Sequence, residues 1–225
     1  MQKSKRMFLK GAGALALGFS IYRMSATTQA ATVGKIEKLV LIHDENKCIG
    51  CDACSLACRE TNQVPEGVAR LEIKRHGPYG EYPNQSYRFE RISCQHCEEA
   101  PCVKVCPTGA AYRDEATGIV RVNEWKCVGC QYCLAACPYQ IRFIHPTTKA
   151  ADKCDFCLET KLMQGELPAC VQACPTQALI FGDSKDPSSQ VSKILQTVAV
   201  NRDKEALGTR PKVFKILAAN GEVVI

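Results

Sequence analysis

Hydrophobic positions along this chain come in short bursts, and the elements they predict are correspondingly short. Residues 38–43 (KLVLIH), with an unbroken apolar run at 39–42, read as a strand. Leu71 and Ile73 alternate with Glu72 and Lys74, and 87–92 (YRFERI) reads as a second such strand, with Gly-Pro-Tyr-Gly at 77–80 between them. Residues 118–123 and 178–181 are further strand candidates. Asp186-Pro187-Ser188 can start a helix running to about residue 200. The sum is an α+β fold with little regular structure.

A different pattern opens the chain. Residues 1–30 have a basic start, an apolar stretch at 11–21 and small residues at the end, with Thr28 and Ala30 three and one before a cleavage point. The apolar stretch is too short to span a bilayer comfortably. Ser4-Lys5-Arg6-Met7-Phe8-Leu9-Lys10 resembles the twin-arginine export motif, with Lys5 in place of the first arginine. This predicts a periplasmic protein, exported folded and peripheral to the inner membrane.

Composition changes the picture at one residue type. The chain of 225 residues holds 16 cysteines, all of them between Cys48 and Cys174. They form four groups of alternating type. Cys48, Cys51, Cys54 and Cys58 share the C-x2-C-x2-C-x3-C spacing with Cys127, Cys130, Cys133 and Cys137, and both sets carry Lys before the first Cys and Gly before the second. Cys94, Cys97, Cys102 and Cys106 have a wider central gap, which grows further in Cys154, Cys157, Cys170 and Cys174. The ends of these two also match, PCVKVCPTGA (101–110) against ACVQACPTQA (169–178), so the chain contains an internal repeat.

Such spacing suits a [4Fe–4S] cube, which presents one iron to each of four thiolates. Three Cys in a short loop wrap three corners while the backbone N–H groups point at the sulfides. Gly50 and Gly129 suit that wrapping because they lack a Cβ. The fourth Cys begins a helix leading away, and in two-cluster ferredoxins it ligates the other cluster. Pro107, Pro138 and Pro175 follow it in three groups, and Arg59 stands there in the first. The clusters replace much of a side-chain core, so cluster binding is folding free energy.

Other readings fit less well. Zinc knuckles would leave the third and fourth Cys of each compact group idle, and Cys so close together are poorly placed to staple distant segments as disulfides. His96 reads as a donor beside the second group or a surface residue, not a ligand, and His43, His76 and His145 carry no partner pattern. The formal net charge of +6 does not indicate nucleic acid: residues 1–30 hold five basic residues and no acid, leaving 24 basic against 23 acidic. Clusters would make the loaded protein acidic overall. No nucleophile–base set or nucleotide fingerprint stands out, so the chain reads as an electron carrier and not an enzyme.

At HDENKCIGCDAC (43–54), CRETNQVPEG (58–67), CQHCEEAPC (94–102), CVGCQYCLAACPY (127–139), RFIHP (142–146), DKCDFC (152–157) and ALGTRPK (206–212) the sequence resembles a known family. It is that of the four-cluster ferredoxin-like subunits of bacterial respiratory reductases, above all the ferredoxin-like subunit of the formate-dependent nitrite reductase pathway. The resemblance implies tandem bacterial-type ferredoxin halves, one inserted in the other. Residues 31–91 with 150–182 make the first half, 92–149 the inserted second half, and 183–225 a C-terminal extension. It further implies four clusters. Cys48, Cys51, Cys54 and Cys174 hold the first, and Cys58, Cys154, Cys157 and Cys170 the second. Cys94, Cys97, Cys102 and Cys137 hold the third, and Cys106, Cys127, Cys130 and Cys133 the fourth. Spacing supports the exchange of each fourth Cys; the nesting comes from the resemblance alone. The implied partners are a multi-helix membrane quinol-oxidising subunit and a periplasmic cytochrome or terminal reductase of anaerobic respiration, with nitrite the leading acceptor. An alternative is the electron-transfer subunit of a molybdopterin-containing or sulfur-oxyanion reductase. A cluster storage or assembly protein is a third reading.

Overall fold

The computed structural model describes residues 38–219, so the expected export segment at 1–30 lies outside the described residues. Strand β1 (Leu39–Asp44) runs into helix α1 (Ala53–Thr61), followed by the paired strands β2 (Leu71–Tyr79) and β3 (Ser86–Ser93). The one-turn helix α2 (Pro101–Lys104) precedes β4 (Ala111–Arg113) and β5 (Val120–Val122). A second, α3 (Tyr132–Ala135), precedes β6 (Phe143–Ile144) and β7 (Ala151–Asp152). The chain continues through α4 (Ala169–Gln172), β8 (Leu179–Asp183), α5 (Gln190–Thr197) and β9 (Val213–Ile216). The fold is α+β with short elements. No helix among the described residues is long and apolar enough to cross a membrane.

The largest sheet is three-stranded in the order β8-β1-β9. β1 pairs antiparallel with β8, Leu41 opposite Phe181, and parallel with β9, Leu41 opposite Val213. This central position accounts for the unbroken apolar run. Leu39 and Leu41 pack with Leu71, Ile119 and Phe156 on one face, while Val40 and Ile42 pack with Ile180, Val191 and Phe214 on the other. Full burial of each contributes about 1.5–3 kcal/mol. Helix α5 covers the second face with Val191, Ile194 and Leu195, the i, i+3, i+4 stripe of an amphipathic helix. It starts later and stops earlier than the sequence pattern predicts, because Val198 turns to extended backbone at φ −121°, ψ 139°. The core under Leu39 and Leu41 also takes in Cys54, Cys58, Cys94, Cys154 and Cys170, and a third core contains Cys97, Cys102 and Cys133.

Strand β9 has no counterpart in the sequence reading, since Lys215 within it and Lys212 just before it interrupt the apolar pattern. Both lysines are nonetheless buried. Lys215 Nζ donates to Glu90 Oε1 at 2.5 Å and pairs with Asp203 Oδ1 at 2.7 Å, tying β9 to β3. Burial alone would raise the Glu90 carboxyl, but the Lys215 hydrogen bond and charge, with His76, hold it below its usual value. A depressed carboxylate contributes stability above its unfolded pKa, and that stability is lost as pH falls through the folded value. Lys215→Met is therefore expected to destabilise the protein by about 2 kcal/mol near neutrality, because it strands two half-buried carboxylates. It should also flatten the acid-side loss. A urea midpoint unchanged from wild type at pH 7 would refute this tie.

Candidate metal centres

The compact cysteine loops adopt one backbone twice. In Cys48-Ile49-Gly50-Cys51 the glycine has φ +68°, and Asp52 (φ 57°) is the N-cap of α1, which carries Cys54 and Cys58. In Cys127-Val128-Gly129-Cys130 the glycine has φ +67°, and Gln131 (φ 64°) is the N-cap of α3, which carries Cys133. A Cβ on Gly50 would run into the Phe89 ring, so only glycine fits there.

The wider groups repeat as well. His96 and Phe156 occupy matching positions, third in C-Q-H-C and C-D-F-C, and both have positive φ, 46° and 58°. Their rings stack on each other with centroids 3.7 Å apart. Farther along, the amide of Ala111 donates to Cys106 Sγ at 3.3 Å and that of Ala178 to Cys174 Sγ at 3.2 Å. Thr108 and Thr176 stand beside the same two sulfurs, at 3.7 and 3.8 Å.

The chain path then gathers cysteines from distant groups, with α1 against α4 and α2 against α3. Cys48, Cys51, Cys54 and Cys174 line one cavity, together with His43. Cys106, Cys127, Cys130 and Cys133 line a second, and Cys94, Cys97, Cys102 and Cys137 a third. The atom-free space in the three, open mouths included, is near-equal at ≈ 340, 350 and 320 Å³, as expected for one kind of guest. Cys58, Cys154, Cys157 and Cys170 are all buried. They form a tight group in which Cys58 feels the charge of Cys170 and Cys157, and Cys154 that of Cys58 and Cys170. Asn62 Nδ2 lies 3.4 Å from Cys157 Sγ and 3.7 Å from Cys58 Sγ.

None of the sixteen cysteines is in a disulfide. Among the described residues no three His, Cys, Asp or Glu side chains are arranged to hold a single metal ion. The thiols stand around cavities instead. Burial pushes the Cys54, Cys58 and Cys97 thiols up to about 12, and Cys154 upward as well. Protons leave such thiols only when a metal replaces them, so iron binding is weakened as pH falls.

Buried cations complete the fit. Arg91 and Arg142 lie among the thiols without a carboxylate partner among the described residues, and Arg91 Nε and Arg142 Nη1 have no hydrogen-bond acceptor. Lys153 Nζ donates to the carbonyls of Val120 and Cys154, and Lys212 Nζ to that of Gly118. A buried charge costs several kcal/mol unless it is compensated, and thiolate-bound clusters of about −2 each are the compensation.

Two families, each described as 4Fe-4S dicluster domain, match residues 85–184 and 47–110. The chain is 55% identical over 224 residues to Protein NrfC of Escherichia coli K12, covering 99% of each. It is 51% identical over 189 residues to the B subunit of polysulfide reductase of Wolinella succinogenes, covering 83% of this protein and 98% of that one. It is also 49% identical over 168 residues to Thiosulfate reductase electron transfer subunit PhsB of Salmonella typhi, covering 74% and 86%.

This chain therefore belongs to the ferredoxin-like iron–sulfur subunits of respiratory reductases. As a member of that family it is an electron-transfer subunit carrying [4Fe–4S] clusters. The sequence reading missed several residues around its thiols. His96 is no surface residue: it is fully buried, with both ring nitrogens unpartnered. Burial lowers its pKa, with the charges of Lys153 and Lys212 behind that, and burial takes His43 down to about 3. The cations could have been found from position, since Arg142 opens RFIHP and Lys153 directly precedes Cys154.

Proposed function

We propose that this subunit is a four-cluster wire in which the sixteen cysteines serve as four sets of four. The sets are Cys48/51/54/174, Cys58/154/157/170, Cys94/97/102/137 and Cys106/127/130/133. In this reading the residues supply thiolates, exclude water and set the local charge; the clusters supply the one-electron chemistry, and no bond to a substrate is made. Electrons come from a multi-helix quinol-oxidising membrane subunit and leave towards a periplasmic cytochrome and terminal reductase, with nitrite as acceptor.

One arrangement supports a through-wire over a storage protein. Cys51 and Cys130 are exposed, while Cys58/154/157/170 and Cys94/97/102/137 are all buried. Two sites therefore reach the surface and two are interior, and His96 and Phe156 of the interior groups stack on each other. The test is anaerobic reduction by menaquinol with the membrane subunit present, followed by mixing with a multihaem cytochrome. All four clusters should reduce and then reoxidise; clusters that stay oxidised with quinol would sink the wire. The identity to the thiosulfate reductase electron transfer subunit favours a second reading, delivery to a sulfur-oxyanion or molybdopterin-containing reductase. Reoxidation by such a subunit and not by the cytochrome would select it.

The export reading belongs to the same proposal. An oxidising periplasm pairs free thiols, so a route for folded proteins lets clusters be inserted first. Arg6→Gln is expected to leave the precursor in the cytosol, and Lys5→Arg to preserve export. Normal export of Arg6→Gln in a strain without the twin-arginine machinery would contradict this address.

A further inference from the structure

Two buried arginines stand at matching places in the thiol framework. Arg142 Nη2 donates to Cys102 Sγ at 3.1 Å. The side chain lines both the Cys94/97/102/137 cavity and the Cys106/127/130/133 cavity, so it stands between them. Arg91, at the end of β3, donates from Nη1 to Ser93 Oγ and brings Nη2 to 4.0 Å from Cys170 Sγ. Its charge acts on Cys170, Cys154 and Cys58 of one set and on Cys54 of the neighbouring set. Each arginine thus serves two of the four sets, and the pair of them covers all four. Neither is neutralised by a carboxylate among the described residues, and each keeps a buried N–H without an acceptor.

Position and sign together point to a role. A [4Fe–4S] cluster on four thiolates goes from about −2 to −3 when it takes one electron, with no bond made or broken. A fixed positive charge in a water-poor interior stabilises the more negative form and raises the potential. We propose that Arg91 and Arg142 are positioning residues that set the potentials of the wire pairwise, each raising the two clusters it lies between. The inference rests on the four-cluster reading above.

The test uses the full chain purified anaerobically, with Arg91→Gln, Arg142→Gln and the corresponding Lys variants titrated potentiometrically and followed by electron paramagnetic resonance. Iron and sulfide are counted on each sample, and transitions are assigned by which one each of Cys51→Ser, Cys157→Ser, Cys97→Ser and Cys130→Ser removes. Arg142→Gln should lower the reduction equilibrium constant of the Cys97 and Cys130 transitions about tenfold, about 59 mV for one electron. It should leave the other two near their native values. Arg91→Gln should do the reverse, and Lys at either position should restore most of the shift. Unmoved transitions at full iron content, or an equal shift of all four, overturns the inference and leaves the four-cluster reading standing. A Gln variant that sheds iron is still decisive: loss of its own two clusters, restored by Lys, supports charge compensation, and loss that Lys does not restore overturns it. Wild-type iron at half the expected count removes the four-cluster reading itself, and is seen before any potential is read.

Discussion

Stripping the iron from the loaded protein is expected to abolish its cooperative fold, and the intact protein is expected to contain about sixteen irons and sixteen acid-labile sulfides per chain. Cysteines make up much of two of the three cores, and three of the thiol sets line cavities of their own. A single Leu→Ala cavity costs about 3–5 kcal/mol, whereas a whole domain is stable by only about 5–15 kcal/mol. Emptying several such sites exceeds that margin. It also leaves Arg91 and Arg142 buried without counter-charge, an added penalty of several kcal/mol each. The face of the β8-β1-β9 sheet that α5 covers packs without cysteine, whereas the opposite face packs against the thiols, so residual structure should survive on the α5 side. Chelation under anaerobic conditions, followed by near-UV circular dichroism and amide exchange, measures both points. An iron-free chain that keeps cooperative unfolding and full protection would show that side chains alone hold the fold. Iron near eight per chain would remove the four-cluster assignment.

What could be read from sequence was local, and what could not was either charged or distant. The cysteine loops were legible because a cube held by a short loop fixes both spacing and backbone, hence Gly50 and Gly129 at φ near +67°. β1 was legible because a strand buried on both faces favours the continuous apolar run Leu39 to Ile42, and β2 and β3 because each exposes one face and so alternates. β9 escaped because its Lys215 is buried through Asp203 and, far away in the chain, Glu90. His96 looked solvent-facing among Gln95, Glu98 and Glu99, yet its partner is Phe156 from another group. Arg91 sits in an alternating strand where a charge normally faces water; only the thiols brought in by α4 make it interior. The gathering of four thiols from different groups is likewise a property of the chain path, which no spacing within one group encodes.

That gathering gives the last expected result. Cys174 lines the same cavity as Cys48, Cys51 and Cys54, and Cys130 lines another with Cys106, Cys127 and Cys133. If each cavity holds one cluster, Cys174→Ser and Cys51→Ser will damage a common cluster although their groups are far apart in sequence. A missing thiolate leaves one iron without its protein ligand, so the outcome is a three-iron species or loss of that cluster, at a cost of about four irons and no more. Charge, hydrogen bonding and exposure set each potential, and these differ between the outer and inner sites. The four transitions are therefore separable in a redox titration followed by electron paramagnetic resonance. Cys174→Ser and Cys51→Ser should perturb one transition, and Cys130→Ser a different one. The amide of Ala178 donates to Cys174 Sγ as that of Ala111 does to Cys106 Sγ, so Cys106→Ser is the matched control and should track Cys130→Ser. Should Cys174→Ser share its transition with Cys130→Ser, the last two groups pair with each other. The nested path would then be wrong, while the wire would still carry electrons.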